Sequence, residues 1–167
     1  MLEARGNMLE MECDALCITT NGFVKSNGAS VMGAGIAKQM RITIPGLDKI
    51  LGQKIAREGN NVHFLLNYNN IGIVSFPVKP ITEISNGENF VKHKFFPVGT
   101  TVPGWACKAN IDLIVRSCQQ LVALANQYGW QRVLLPRPGC GAGELNWSHV
   151  KKVIEPLLDD RFIVCTY

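Results

Sequence analysis

Apolar positions recur along the chain with periods of two and of three to four, in alternation. Residues 8–20 (MLEMECDALCITT) are apolar and β-leaning, which predicts a strand running toward Asn21. The segment Val31 to Ile42 is glycine-rich at its start and helix-like afterwards. Pro45-Gly46 opens a second predicted helix, with Leu47, Ile50, Leu51 and Ile55 at helical spacing. VHFLLNY, an Asn69-Asn70 turn and IGIVSFPV read as a β-hairpin. Residues 79–106 read as a long irregular stretch, punctuated by Pro80, Gly87, Pro97, Gly99 and Pro103-Gly104. A loop of that length serves as a lid or stays disordered.

From Lys108 to Tyr128 the set Ile111, Ile114, Val115, Cys118, Leu121, Val122 and Ala125 marks an amphipathic helix. RVLLP (132–136) is a short buried strand, followed by the loop RPGCGAGE. Asn146 is the expected N-cap of a helix beginning at Trp147, which Pro156 should kink or shorten. RFIVCTY supplies the last strand. Strands and helices alternate, so the expected class is α/β with a mixed sheet between helix layers. Without repeats, low-complexity stretches or charge blocks, residues 1–167 are expected to form one domain.

Composition narrows this little. Hydrophobic residues make 47% and charged residues 18% of 167, the balance of a globular protein and not of a disordered tail or coiled coil. Seventeen Lys+Arg against thirteen Asp+Glu leave +4, compatible with a phosphate-bearing ligand and too small to announce a nucleic-acid binder. No apolar run reaches the ~18 residues of a membrane span. MLEARGNMLEMECD lacks the layout of a signal peptide, so a cytoplasmic protein with no membrane partner is expected. Six cysteines include no CxxC pair and read as thiols. Cys13 and Cys17, four apart in a strand-like run, are expected to share one face as small buried residues. They lack His partners at ligand spacing, so no metal is expected.

Three places can carry chemistry. In the first, Asn21-Gly22 leads through Val31-Met32-Gly33-Ala34-Gly35-Ile36-Ala37-Lys38 from a strand into a helix. Glycines there let backbone N–H groups approach a phosphate at a helix N-terminus, although a tight packing turn uses the same pattern. It is not a dinucleotide fingerprint, because the third glycine is missing. The second is Pro138-Gly139-Cys140-Gly141-Ala142-Gly143-Glu144, again between a strand and a helix. Two such loops at one end of a sheet could clamp a diphosphate. Cys140 reads either as a nucleophile without an identifiable base or as a small residue in a tight loop. The third is Ser75-Phe76-Pro77-Val78-Lys79, whose lysine is a surface charge, a phosphate contact or a nucleophilic amine.

Together these pieces resemble a macrodomain, the ADP-ribose-binding α/β/α module, over nearly the whole chain. Gly6-Asn7-Met8-Leu9 is similar to the family's opening turn, whose polar residue reads the adenine. The strand ending at Asn21 is similar to the one whose asparagine holds the distal ribose. Val31–Ala37 resembles the first phosphate loop, and Gly139–Trp147 the second. The implied fold is a three-layer α/β/α macrodomain with a central mixed sheet. The implied ligand-binding set is Asn7, Met8, Asn21, Met32, Gly33, Ala34, Gly35, Ile36, Gly139, Cys140, Gly141, Ala142 and Gly143. The loop after Asn21 is longer than in relatives, so Asn27 competes with Asn21 for the ribose.

Within the family, Ser75–Lys79 resembles the "NFPTK" of DarG-type antitoxin macrodomains and their relative, the terminal ADP-ribose glycohydrolase. The resemblance implies that Lys79 attacks C1″ of the distal ribose and that ADP-ribose leaves a modified target, with a DNA base as the leading expectation. A non-catalytic ADP-ribose reader and an ADP-ribose 1″-phosphate phosphatase are the alternatives. The first loop lacks the aspartate of most hydrolytic macrodomains. Gly143 stands where the terminal glycohydrolase has one, leaving the adjacent Glu144 as a candidate general base. The family's "K-x-H-W-R" continuation is also missing. The 79–106 segment brings its own Lys92, His93, Lys94 and Trp105, as lid, nucleic-acid contact or solvated face. The implied partner is ADP-ribose or an ADP-ribosylated target, with DNA among the candidates, and no cofactor is implied.

Overall fold

The computed structural model describes residues 1–167, and its strands and helices alternate as the pattern predicts. The chain order is β1 (Leu2–Arg5), β2 (Ala15–Thr20), α1 (Gly35–Thr43), α2 (Leu47–Glu58), β3 (His63–Tyr68) and β4 (Ile71–Pro77). It continues with β5 (Thr82–Ile84), β6 (Thr101–Pro103), α3 (Ile111–Tyr128), β7 (Val133–Pro136), α4 (Trp147–Ile154) and β8 (Phe162–Thr166). Six strands form one mixed sheet in the order β1-β8-β7-β2-β4-β3, parallel except for the β3–β4 hairpin. Asn69 and Asn70, at φ 49° and 64°, make the two-residue hairpin turn, a conformation asparagine tolerates.

β2 shows why both faces are covered. Ala15 and Cys17 enter the core under α3 and α4, whereas Leu16 and Ile18 enter the core under α1 and α2. A strand buried on both sides reads as a continuous apolar run, and period two then sorts its residues between layers. Asn110 caps α3 by accepting from Leu113 N–H at 3.0 Å, and Gly129, at φ 69°, ends that helix. Asn146 caps α4, and Pro156 lies in a 3-10 turn (Glu155–Leu157) that takes over where α4 stops.

Strand order positions the site. β2 and β7 are neighbours, yet the helix after β2 lies on one face and the helix after β7 on the other. Such a reversal opens a crevice at the carboxyl ends of the strands, where α/β folds hold ligands. Both glycine-rich loops leave the sheet at this crevice.

Three expectations are corrected. Only Ala15–Thr20 of the 8–20 run is strand. Met8–Glu10 is a 3-10 turn, because the Asn7 carboxamide accepts from Leu9 N–H and starts a turn instead. Cys13 therefore precedes the strand and packs at the edge of the α1/α2 core, while Cys17 lies in the α3/α4 core; the two do not share a face. The 79–106 segment is not irregular throughout. β5 and β6 pair antiparallel, and Phe90, Val102, Ala106 and Cys107 bury a small core of their own. Gly104 packs directly on the Pro80 and Ile81 carbonyls, where a Cβ has no room.

Candidate functional site

A cavity of about 400 Å³ opens at the crevice, within the size range of small-molecule sites. The ends of β2 and β4, both glycine loops and the 79–106 segment supply its walls. Their contributions include Thr19, Thr20, Asn21, Met32, Gly33, Ala34, Gly35, Ile36, Lys79, His93, Trp105, Arg137, Gly139, Gly141, Ala142 and Gly143. None of the lining residues is acidic, and two, Lys79 and Arg137, are cationic. The wall therefore favours an anion.

The first loop is held by its carbonyls. Asn21 Nδ2 donates to Val31 O at 2.9 Å, and Arg41 Nε donates to Met32 O at 3.1 Å. Its amides stay free: from Gly33 to Ala37 no N–H group donates to a protein acceptor. α1 has no side-chain cap and no acid in its first turn. Unspent amides and the positive end of the helix dipole together suit an anionic group. The longer stretch after Asn21 folds onto α2. Ser30 N–H donates to Asp48 O, and Gly28 O sits against Gly52, which has no room for a Cβ. Asn27 turns inward on itself, accepting from Ala29 N–H at 3.0 Å away from the cavity.

The second loop also leaves amides free, at Gly141, Ala142 and Gly143. Its form is fixed by Leu145 N–H to Gly139 O and by Ala109 N–H to Gly143 O, which ties it to the start of α3. Cys140 does not line the cavity. Its thiol lies 3.4 Å from Pro138 O, and burial raises its pKa, against a nucleophilic thiolate. Glu144 is not in the wall either. At φ 65° it turns outward, and its Oε2 accepts from Lys92 N–H at 2.9 Å, clasping the second loop to the 79–106 segment.

Lys79 sits just past β4 and is 8% exposed. Its amide and that of Val78 donate to Thr20 O, and its own carbonyl accepts from Asn60 Nδ2 at 3.0 Å. Its Nζ donates to Trp105 O at 3.1 Å. Burial lowers the ammonium's pKa, with the charges of Cys107 and Glu144 opposing more weakly. No carboxylate is paired with it, so the amine is a partly desolvated cation with two donor positions free of protein acceptors.

The structure thus gathers Asn21, Met32, Gly33, Ala34, Gly35, Ile36, Lys79, Gly139, Gly141, Ala142 and Gly143 around one cavity. Asn7, Met8, Asn27, Cys140 and Glu144 lie elsewhere. Asn7 caps its 3-10 turn and accepts from the Tyr167 hydroxyl at 3.1 Å, and Met8 is buried in the α1/α2 core. Thr20 and Arg137 were not singled out by the sequence. Thr20 is an ordinary strand residue there, and Arg137 is the residue before Pro138 in a loop read for its glycines. No group of three or more His, Cys, Asp or Glu side chains is placed to hold a metal ion, and no helix is long and apolar enough to cross a membrane.

No protein-family model matches the sequence, and no curated protein matches it. Solved structures do. The macrodomain of Mycobacterium tuberculosis DarG superposes with a TM-score of 0.69 at 18% identity, covering 99% of this chain and 98% of that one. The macrodomain of Thermus aquaticus DarG gives 0.68 at 21%, with 99% and 97% covered. Thermosipho africanus DarTG, solved in complex with ADP-ribose, gives 0.69 at 16%, covering 99% of this chain and 42% of that longer one. A likeness this complete at such low identity speaks to architecture, and the chain has the three-layer α/β/α fold of the macrodomains.

Proposed function

We propose that this cavity binds ADP-ribose and that the protein removes it from a modified target, with a DNA base as the leading candidate and Lys79 as nucleophile. The observation that carries the reading is the position of Lys79. Its buried amine faces a cavity without carboxylates, between two loops whose amides are unspent. The two loops suit the two phosphates of ADP-ribose, and Asn21 beside Lys79 suits the distal ribose. The ADP-ribose complex of the structurally similar Thermosipho protein supports the ligand assignment.

In the proposed step the neutral Lys79 amine attacks C1″. The Nζ–C1″ bond forms, the bond from C1″ to the base breaks, and the base leaves with the proton that the amine sheds. Water then cleaves Nζ–C1″, releasing ADP-ribose and restoring the amine. The lowered pKa raises the neutral fraction that this chemistry needs. Glu144, spent on Lys92 N–H, is assigned to holding the 79–106 segment rather than to proton transfer.

One observation favours a second reading, a reader that binds without turnover. The bond from Lys79 Nζ to Trp105 O serves an ammonium as well as an amine. Release of free ADP-ribose from a thymidine-ADP-ribosylated single-stranded oligonucleotide separates the two. The hydrolase releases it and Lys79→Ala does not, while the variant still binds ADP-ribose. No release by wild type in excess over substrate would leave the reader standing.

A further inference from the structure

The sequence leaves Lys92, His93 and Lys94 open as lid, nucleic-acid contact or solvated face, and the structure puts them at the mouth of the cavity. Residues 89–91 run antiparallel to 106–108. Phe90 and Cys107 form a bridge, Val91 N–H donates to Ala106 O, and Lys108 N–H donates to Asn89 O. Just past this short ladder His93 and Trp105 enter the cavity wall, and Lys94 Nζ lies 5.4 Å from the centre of the Trp105 ring. Lys92 N–H meets Glu144 on the second loop, so the lysines on either side of His93 sit at the rim. Lys92, Lys94 and Lys108 are exposed, and none of them forms an ion pair with a carboxylate. The nearby acids have other partners: Glu144 Oε2 accepts a main-chain amide and Glu83 Oε2 accepts from Asn89 Nδ2. Next in the chain, Phe95 is 80% exposed. A T-shaped contact with Phe90, at 84° and 6.3 Å between centroids, steadies its ring without covering it.

We infer that this rim holds a single strand of nucleic acid, with Phe95 stacking on a base beside the modified one and Lys92 and Lys94 on the flanking phosphates. The inference rests on the reading of the cavity as the place where a modified base loses ADP-ribose, and it names what holds the rest of the strand. An unpaired strand presents a negative charge at every nucleotide and a base face free to stack, which unpaired cations beside an open aromatic ring complement. A duplex keeps its base faces stacked on one another, so the ring selects an unpaired strand. An apolar protein partner would cover Phe95 but leave the lysines without counter-charge, and the charge therefore decides for nucleic acid.

Fluorescence anisotropy of a labelled, unmodified single-stranded DNA oligonucleotide tests this, with calorimetric titration of ADP-ribose beside it. Wild type should bind the strand at about 50 mM salt and lose it progressively toward about 200 mM. Phe95→Ala should weaken the strand about tenfold, the loss of one stacked base, and leave ADP-ribose within about twofold. Lys92→Ala and Lys94→Ala should each flatten the salt dependence by about 0.7 in the logarithmic slope, one phosphate contact apiece. Lys152→Ala, on α4, should leave that slope unchanged. Unchanged thermal midpoints show that the variants keep the fold. Equal strand binding by wild type and Phe95→Ala would overturn the inference alone, as would no strand binding by wild type at about 50 mM salt. A wild type that instead dimerises through Phe95, seen by sedimentation, would overturn it in favour of a second copy of the chain. Failure of wild type to bind ADP-ribose would show in the other titration and overturn the cavity's reading and this inference with it.

Discussion

The two glycine loops occupy the same end of the sheet and offer the same free amides, yet their glycines serve different ends. In the second loop a Cβ on Gly143 would sit 2.6 Å from both the Ala109 Cβ and Gly139 O. One on Gly139, at φ 75°, would sit 2.9 Å from Ala109 and Ile114. In the first loop Gly33 meets nothing nearer than Val31 at 4.0 Å, and Gly35 meets nothing within 4 Å. In the second loop Gly139 and Gly143 answer to packing, whereas Gly141 meets nothing within 4 Å. The first is glycine-rich on the side that faces the ligand space, apart from Gly35, whose φ of 55° demands it. One motif type thus reports close packing at Gly139 and Gly143 and open space at Gly33, Gly35 and Gly141.

The largest expected effect is at Gly143. Gly143→Val should cost about 1–3 kcal/mol by overpacking, enough to lower the thermal midpoint by several degrees, and should also abolish ADP-ribose binding. Gly35→Ala should cost about 1 kcal/mol for the left-handed backbone, visible as a midpoint drop of about 2–4 °C. Gly33→Ala should leave stability within about 0.5 kcal/mol while weakening ADP-ribose, a split that titration and melting together reveal. If Gly33→Ala instead destabilised the protein as much as Gly143→Val, the contrast between the loops would fail.

Lys79 sharpens the comparison through pH. Its folded pKa lies below the ordinary 10.5 because burial disfavours the charge. The neutral amine therefore accumulates at lower pH than for a free lysine. ADP-ribose release measured across pH should rise through that lowered pKa and level off before the ordinary lysine range. The same sign makes the charged form a cost to folding at neutral pH, relieved as pH rises toward 10.5. A release rate flat from pH 6 to 10 would remove the amine from the rate-determining step.

Local patterns were legible in the sequence and long-range ones were not. α3 and the Asn69-Asn70 hairpin follow from periodicity and turn chemistry within a few residues. Both glycine loops were visible because their glycines recur at every second residue. β1, four residues with Glu3 and Arg5 exposed, and β5 and β6, three residues each, are too short to carry a period. Thr20 stayed hidden because its place in the cavity wall exists only once β2 meets the crevice. Glu144 looked catalytic from its neighbourhood in sequence, and its left-handed backbone turns it to Lys92 instead.

The most direct test of the account is to trap the amine at work. Wild type is incubated with the ADP-ribosylated oligonucleotide and cyanoborohydride, which reduces the imine that the lysine adduct opens to, and its peptides are mapped by mass spectrometry. The account predicts an ADP-ribose-derived mass on the peptide at Lys79, absent from Lys79→Ala. Release of ADP-ribose with no adduct, or with the adduct on another residue, would contradict it.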